Sequence, residues 1–521
     1  MRVLLMHRER DFGLQQALAH NADALTQDLG LQALLHAMAG ADEFLLDVAR
    51  KALLAQTFAD RDTIQHRQDV LKDCLRNTAV VRDLYELAGQ ALEGRRRHYY
   101  GFLSDYPGAI LSGSIGLLET LLEMLRKLRG VAQESAGRFE SEGFGTLFSM
   151  LARELDDGYL ASIEGHLAEL KFRRGLLLSA RVTADGGAGV DHVLRKPHAT
   201  EGGWLQRIFH KGPPAYSFRL HERDEAGARI VSDLRNRALN LVANALAQSA
   251  EHVLSFFQAL RTELGFYVGC LNLHERLTAM ELPLCFPEPA PADEPALRFA
   301  GLRDPGLALH MQRAPVGNAL DARGMRLAII TGPNQGGKSS FLRSVGVAQL
   351  MMQCGMFVAA ESFRGSVCAS LFTHYKREED RTMKSGKLDE ELARMSEIAD
   401  QLSAGGVMLF NESFAATNDR EGSEIARQIV RALLEKRVRV LFVTHLYDFA
   451  RGLYERGPEQ AVFLRAERRP DGTRSFRVVE GEPLETSYGE DVYRAVFADE
   501  GDAGSLQERS APRVYNRRQS C

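Results

Sequence analysis

The sequence predicts a multidomain protein, an α-helical core with long lever helices followed by an α/β P-loop domain of ABC type. Three observations predict it. At 521 residues the chain exceeds what one hydrophobic core usually organises. Apolar residues recur at three- and four-residue spacing through most of the first half, as amphipathic helices require. In the second half short apolar runs alternate with helical patterns, as in an α/β sheet.

Composition narrows the class. An apolar share of 45% with 26% charged residues is ordinary for a soluble globular protein. The formal net charge of -4 excludes a global electrostatic pull toward nucleic acid, so any such surface must be a local patch. The six cysteines are scattered, without a CxxC pair or a zinc-like His cluster, and read as reduced and structural. No run reaches about 18 uninterrupted apolar residues, so no membrane partner is expected and the expected location is cytoplasmic.

Taken in chain order, residues 1–114 read as the helical core, with periodic segments such as Leu31–Met38 and Phe44–Leu53. Residues 115–173, rich in Leu and Glu with heptad-like spacing around Leu117, Leu118, Leu121 and Leu125, read as the first lever helices. Residues 230–283 read as the second lever helix and its return, so that the two form an antiparallel pair around an insertion. The insertion, 174–229, has short apolar runs broken by Gly and Pro and is expected to be a small β-rich, basic, clamp-like tip.

Between Lys171 and Arg223 ten basic residues face four acids. If they share a face, Arg173, Arg174, Arg195, Lys196, Arg207 and Lys211 are candidates for holding nucleic-acid phosphates; otherwise they form a solvated loop face. Trp204, beside Phe209, either stacks on a base or forms the small core of this subdomain. The Pro-rich stretch 284–296 reads as a linker, 297–497 as the P-loop domain, and 498–521 as a disordered tail.

The nucleotide site is the sharpest signal. The apolar run Leu327–Ile330 leads into Thr331-Gly-Pro-Asn-Gln-Gly-Gly-Lys-Ser-Ser340 and then an apolar helical pattern. Gly332, Gly337, Lys338 and Ser339 satisfy GxxxxGK[ST]: backbone N–H groups wrap phosphates, the lysine balances charge on the outer phosphates, and the hydroxyl binds Mg²⁺. Pro333, Asn334, Gln335, Gly336 and Ser340 complete the candidate loop, and ATP with Mg²⁺ is the implied cofactor pair. A second buried-strand run, Val407–Phe410, ends in Asn411-Glu412, where a P-loop sheet delivers polar groups to the metal and the attacking water. Glu412 is therefore the candidate to orient or deprotonate that water and to reach the metal. A third, Val440–Thr444, ends in His445, which either contacts the γ-phosphate or the water or is structural.

These motifs resemble the MutS family. TGPNQGGKSSFLRS is similar to its phosphate loop, TGPN-x-GGKST. Gly355–Ala360 resembles its G-x-x-V-P-A segment, Thr444-His445-Leu446 its THY strand end, and Ser487-Tyr488-Gly489 a segment near the end of its ATPase domain. Thr63–Leu71 resembles the R-Q-x-x-V helix of its core domain, so the likeness covers about residues 60 to 495. Pro315-Val-Gly-Asn318 lies where the family places adenine contacts.

The resemblance implies a DNA-binding ATPase that dimerises so that two sites are completed across the interface, with duplex or branched DNA as ligand. Departures qualify this. The family ends its second strand in Asp-Glu, so the neutral Asn411 implies a weaker hold on Mg²⁺ and slow hydrolysis. Ser413–Asp419 replaces a glycine-rich loop. The S-T-F-x-x-E segment appears as Gly386–Glu391 with Ser385 one position early; Ser385 either reaches the partner's nucleotide or simply caps a helix. The chain before Lys338 is too short to add mismatch-reading and connector domains to the core and levers. No Phe-x-Glu stands near the start and no Smr-like nuclease segment follows Tyr488, so neither mismatch reading by that device nor cutting is expected. An RNA- or ribosome-directed ATPase and a nearly non-hydrolysing structural clamp remain as alternatives.

Overall fold

Side-chain caps decide where helices start. In the computed structural model the carboxylate of Asp42 accepts from the N–H groups of Phe44 and Leu45, and that of Asp60 from Thr63. Ser141, Asp156 and Asp224 serve Phe144, Tyr159 and Gly227 in the same way. Each satisfies a backbone donor that the first helical turn leaves unpaired.

The resulting order is α1 (Ala22–Asp28), α2 (Leu31–Ala39), α3 (Glu43–Leu53), α4 (Arg61–Arg76), α5 (Thr78–Arg97), α6 (Pro107–Ser135), α7 (Glu142–Glu154) and α8 (Asp157–Leu170). There follow β1 (Leu177–Val182), β2 (Ala188–Arg195), α9 (Glu225–Ala279), β3 (Glu288–Ala290), β4 (Ala296–Leu302), α10 (Pro305–Met311), β5 (Asn318–Arg323), β6 (Leu327–Thr331) and α11 (Lys338–Gln353). The chain continues through β7 (Ser362–Ser366), β8 (Leu371–Tyr375), α12 (Lys387–Gln401), β9 (Val407–Asn411), α13 (Asp419–Glu435), β10 (Arg439–Val443), α14 (Tyr447–Arg456), β11 (Ala461–Arg468) and β12 (Arg474–Glu480). The structure describes residues 1–55, 60–97, 106–173, 175–182, 188–195, 217, 219–221, 223–377, 386–469 and 474–484.

The chain divides into two units, Met1–Gly317 with Arg343–Leu371, and Asn318–Leu342 with Phe372–Cys521. In the first, α9 runs for 55 residues and packs on α5 and α6. Its second half is core, with Phe257, Leu260, Leu264, Phe266 and Tyr267 all fully buried, whereas Ile230, Val231 and Leu241 in its first half are exposed. The stretch 115–173 is not one rod: the caps at Ser141 and Asp156 break it into α6, α7 and α8. The stretch 107–138 is long and apolar enough by composition to cross a membrane, and half of its most apolar window is buried inside the protein.

Two expectations shift here. The Pro-rich stretch 284–296 carries a strand, β3, paired in parallel with β7 from Glu288↔Arg364 to Ala290↔Ser366. Proline is tolerated because β3 lies at the end of the strand order. Residues up to Gly317 and 343–371 cluster with the helices rather than with the rest of the α/β part. In the insertion β1 and β2 form an antiparallel hairpin, Leu177↔Arg195, on which Arg195 is exposed; Arg173, just before it, is exposed too. Arg174, Lys196, Trp204, Arg207, Phe209 and Lys211 lie outside the described residues, as do Ser487–Gly489 and the tail.

The start of the first unit is fixed by a buried carboxylate. Glu263 of α9 accepts from the N–H groups of Leu5, Met6 and Phe12 at 2.6, 3.0 and 2.5 Å. The Tyr267 hydroxyl donates to the carbonyl of Leu5, and buried Arg67 donates through Nε to that of Met6. Gln68 donates to the carbonyl of Pro287. Arg67 and Gln68 of the Thr63–Leu71 motif are thus internal fasteners.

In the second unit the strand order is β12-β11-β6-β10-β9-β8. β11, β6, β10 and β9 run parallel, and β12 closes antiparallel on β11. Every residue of β6 is buried. Phe410, Phe414, Phe442 and Phe449 fill the core beside the sheet, with Phe410 and Phe442 stacked at 4.6 Å between ring centroids. The parallel strands β6, β9 and β10 therefore end side by side, which is where an open α/β sheet presents functional groups.

Candidate functional site

The loop from Gly332 to Gly337 joins β6 to α11, and its glycines are dictated by close neighbours. A Cβ on Gly332 would stand 2.9 Å from the Cβ of Ala466, and one on Gly336 2.8 Å from the same atom. Gly332 and Gly337 also hold φ of +126° and +94°, where a side chain is strained. The loop backbone is thereby pressed flat against β11, while Asn334 and Gln335 at its crown are exposed.

Lys338 opens α11 and is only 4% exposed. Its ammonium donates to the carbonyls of Gly332 and Pro333 at 2.8 and 2.9 Å, so the charge is held over the loop rather than lost to solvent. Burial pushes its pKa down to about 8, against the pull of nearby Glu412. The next residue, Ser339, donates from Oγ to Oδ1 of Asn411 at the end of β9, 3.0 Å away. Ser340 is half-buried on the same first turn.

Glu412 follows Asn411 in a left-handed conformation, φ +55°, and its N–H donates to the carbonyl of Val443 on β10. That turn brings Oε1 of Glu412 within 3.0 Å of Nε2 of His445. The same nitrogen lies 3.4 Å from Nζ of Lys338. One ring nitrogen cannot both donate to the carboxylate and accept from the ammonium; the shorter contact favours donation to Glu412. The His445 hydrogen bond, more than any other contact, holds the Glu412 carboxyl below its ordinary range. Glu412 is thus an ionised, half-buried carboxylate fixed at one end of the loop.

A nucleotide with a divalent ion fits these residues. The glycines at 332, 336 and 337 let the loop backbone lie directly on the β11–β12 hairpin, where a Cβ would meet Ala466 or Phe476. Ser339 Oγ, Asn411 Oδ1 and the Glu412 carboxylate are hard oxygen donors, two of them neutral, which suits an ion that arrives with phosphates better than one the protein must hold alone. Among the described residues there is no group of three His, Cys, Asp or Glu that could hold a metal ion.

The sequence brought forward Gly332 to Ser340, Asn411, Glu412 and His445, and the fold gathers all of them at the ends of β6, β9 and β10. Ser385 lies outside the described residues; α12 begins at Lys387 with Gly386 as its N-cap. Asn318 is buried at the start of β5, where its amide oxygen accepts from the N–H of Val478. Other neighbours were not foreseen. Arg474 of β12 donates to the Gln335 side chain at 2.6 Å. Behind Glu412, Ser413 bonds to buried His374, and the N–H of Phe414 donates to Glu391 of α12. No local pattern announces contacts that depend on the pairing of remote strands.

Fold and site define a class, a helical body joined to an α/β domain whose inner parallel strand ends in a glycine loop faced by a glutamate and a histidine. Comparison with known proteins supplies the family. Residues 59–280 match the MutS2 N-terminal domain and 328–500 match MutS domain V. The chain belongs to the MutS family. The chain is 32% identical over 173 residues to the DNA mismatch repair protein MutS of Desulforamulus reducens, 30% of this chain and 20% of that one. It is 34% identical over 133 residues to the protein of the same name from Syntrophomonas wolfei, 25% and 16%. It is 33% identical over 132 residues to the Endonuclease MutS2 of Thermus thermophilus, 25% and 17%. The match thus spans a fifth or less of each of these relatives.

Proposed function

We propose that this protein binds ATP with Mg²⁺ at the Gly332–Ser340 loop, hydrolyses it slowly, and acts on DNA as a dimeric, nucleotide-gated clamp in repair or recombination. One observation carries the reading. Lys338, Ser339, Asn411, Glu412 and His445 converge through hydrogen bonds at the ends of three adjacent strands. The loop N–H groups and Lys338 would take the phosphates, and Ser339 with Asn411 would hold the ion, whose chemistry is to neutralise charge on the outer phosphates. Glu412, ionised and aimed by His445, would order the attacking water.

Asn411 makes turnover slow, since a neutral amide holds Mg²⁺ less firmly than a carboxylate. It also favours a second reading, a clamp that binds ATP with almost no turnover. Family membership supports DNA as the ligand and a dimer as the working form, with the exposed Arg173 and Arg195 at the hairpin supplying part of the phosphate contact. Nothing in the similar proteins' names points to RNA or ribosomes, and that alternative is set aside.

The test is affinity for perfect duplex, mismatched duplex, four-way junction and structured RNA, with ATP, with ADP and without nucleotide, at two salt concentrations. ATP-modulated binding to DNA supports the clamp; preference for RNA, or no binding in any state, overturns it. Steady-state turnover then separates the slow ATPase from the clamp that merely binds.

A further inference from the structure

The loop has a second cation beside it. The hairpin of β11 and β12 lies along one wall of the glycine loop, with Ala466 against Gly332 and Gly336 and the backbone of Phe476 against Gly337. Two residues before Phe476, Arg474 places its guanidinium on the side-chain oxygen of Gln335, 2.6 Å away, at the exposed crown of the loop. Its charge reaches Lys338, whose pKa it helps lower.

Resting on the nucleotide reading above, we infer that Arg474 is a phosphate-binding residue in its own right, parked on Gln335 and transferred to the outer phosphates of the nucleotide when they enter the loop. Three features argue for it. Arginine presents several donors in a planar fork suited to phosphate oxygens, and a neutral amide oxygen is a weaker partner than a phosphate. Gln335 sits in the left-handed region at φ +59°, which fixes where its side chain leaves the loop and hence where the guanidinium waits. The carrier is a paired strand: Arg468↔Arg474 and Ala466↔Val478 tie β12 to β11, with a bulge between the two pairs, and β11 pairs with β6. The site thus takes its second positive charge from its own chain.

The experiment measures ATP, ADP and AMP affinity by calorimetry on the full chain, for the native protein and for Arg474→Gln, Arg474→Lys, Gln335→Ala and Lys338→Ala. Arg474→Gln is expected to weaken ATP binding about tenfold, the loss of a charge-assisted contact, with a smaller effect on ADP and none on AMP. Arg474→Lys should recover part of the loss. Gln335→Ala frees the guanidinium and is expected to tighten ATP binding a few-fold. If instead Arg474→Gln and Gln335→Ala weaken all three nucleotides alike, the pair only braces the loop and the inference falls. Unchanged ATP affinity in Arg474→Gln, with binding abolished in Lys338→Ala, also overturns it while leaving the nucleotide site intact. A native protein that binds no ATP overturns the nucleotide reading itself.

Discussion

Asn411 is the residue at which this chain's chemistry departs furthest from its family's pattern. Its amide oxygen already accepts from Ser339, so the two groups proposed to hold the ion stand together without a carboxylate charge. Asn411→Asp is therefore expected to raise steady-state ATP turnover by about tenfold in Mg²⁺, since a carboxylate stabilises the bound ion more strongly. An unchanged rate, at unchanged ATP affinity, would mean that another step limits the cycle. Lys338 yields a pH prediction. Its free-state pKa is pushed down to about 8, and phosphates would raise it again, so binding above pH 8 must take up a proton. ATP affinity should hold between pH 6.5 and 7.5 and fall above about 8, by up to about tenfold per pH unit. Calorimetry at pH 8.5 in buffers of different ionisation enthalpy reads the uptake directly; equal heats would remove Lys338 as the titrating group. At this scale most of the site was legible, because the loop glycines, Lys338 and the strand-end Glu412 and His445 are each set by local pattern. Arg474 was not, since only the pairing of β12 with β11 brings it to a loop 139 residues away.

Elements carry the next set of constraints. The segment after Glu412 holds Phe414 at φ +63°, a conformation ordinarily left to glycine, and the family has a glycine-rich loop there. Burial stabilises it: Phe414 is fully enclosed, stacked on His374 at 5.3 Å, and its N–H is held by Glu391. α13 accommodates the turn through Gly422, where an added Cβ would lie 2.4 Å from the carbonyl oxygen of Phe414. Gly422→Ala is expected to cost about 1–3 kcal/mol by overpacking, read as a lower urea midpoint at constant slope. It should also slow turnover, because the displaced segment carries Glu412. A variant with native stability would show that the segment yields easily. The helices show the limits of periodicity. Leucine spacing marked 115–173 as helical but could not show that Ser141 and Asp156 cut it into three, because a cap outweighs pattern only once the following turn packs. Similarly, the prolines of 284–296 read as linker, while an edge strand uses them without loss.

At the scale of the molecule, the first unit carries a buried polar knot around Glu263, apart from the glycine loop, which belongs to the second unit. Glu263 is fully buried with both oxygens occupied by the N–H groups of Leu5, Met6 and Phe12. An acid inside an otherwise apolar helix face gives no hint in the sequence of what it binds, since its donors are backbone groups more than 250 residues away. Burial pushes the Glu263 pKa up to about 8 while the three N–H donors pull it down. A carboxyl group still turns an oxygen to each side, whereas an amide must turn a donor toward at least one of these N–H groups. Glu263→Gln is thus expected to leave a buried donor unpaired and to cost about 1–3 kcal/mol for each group so stranded. Circular dichroism during thermal or urea unfolding measures the loss. ATP affinity at 25 °C should be unaltered, because Glu263 and its partners belong to the first unit and the loop to the second. If the substitution left stability intact, the three N–H groups would have to find other acceptors in the folded state. If it weakened ATP binding without unfolding the chain, the N-terminal segment would belong to the nucleotide machinery rather than to the scaffold.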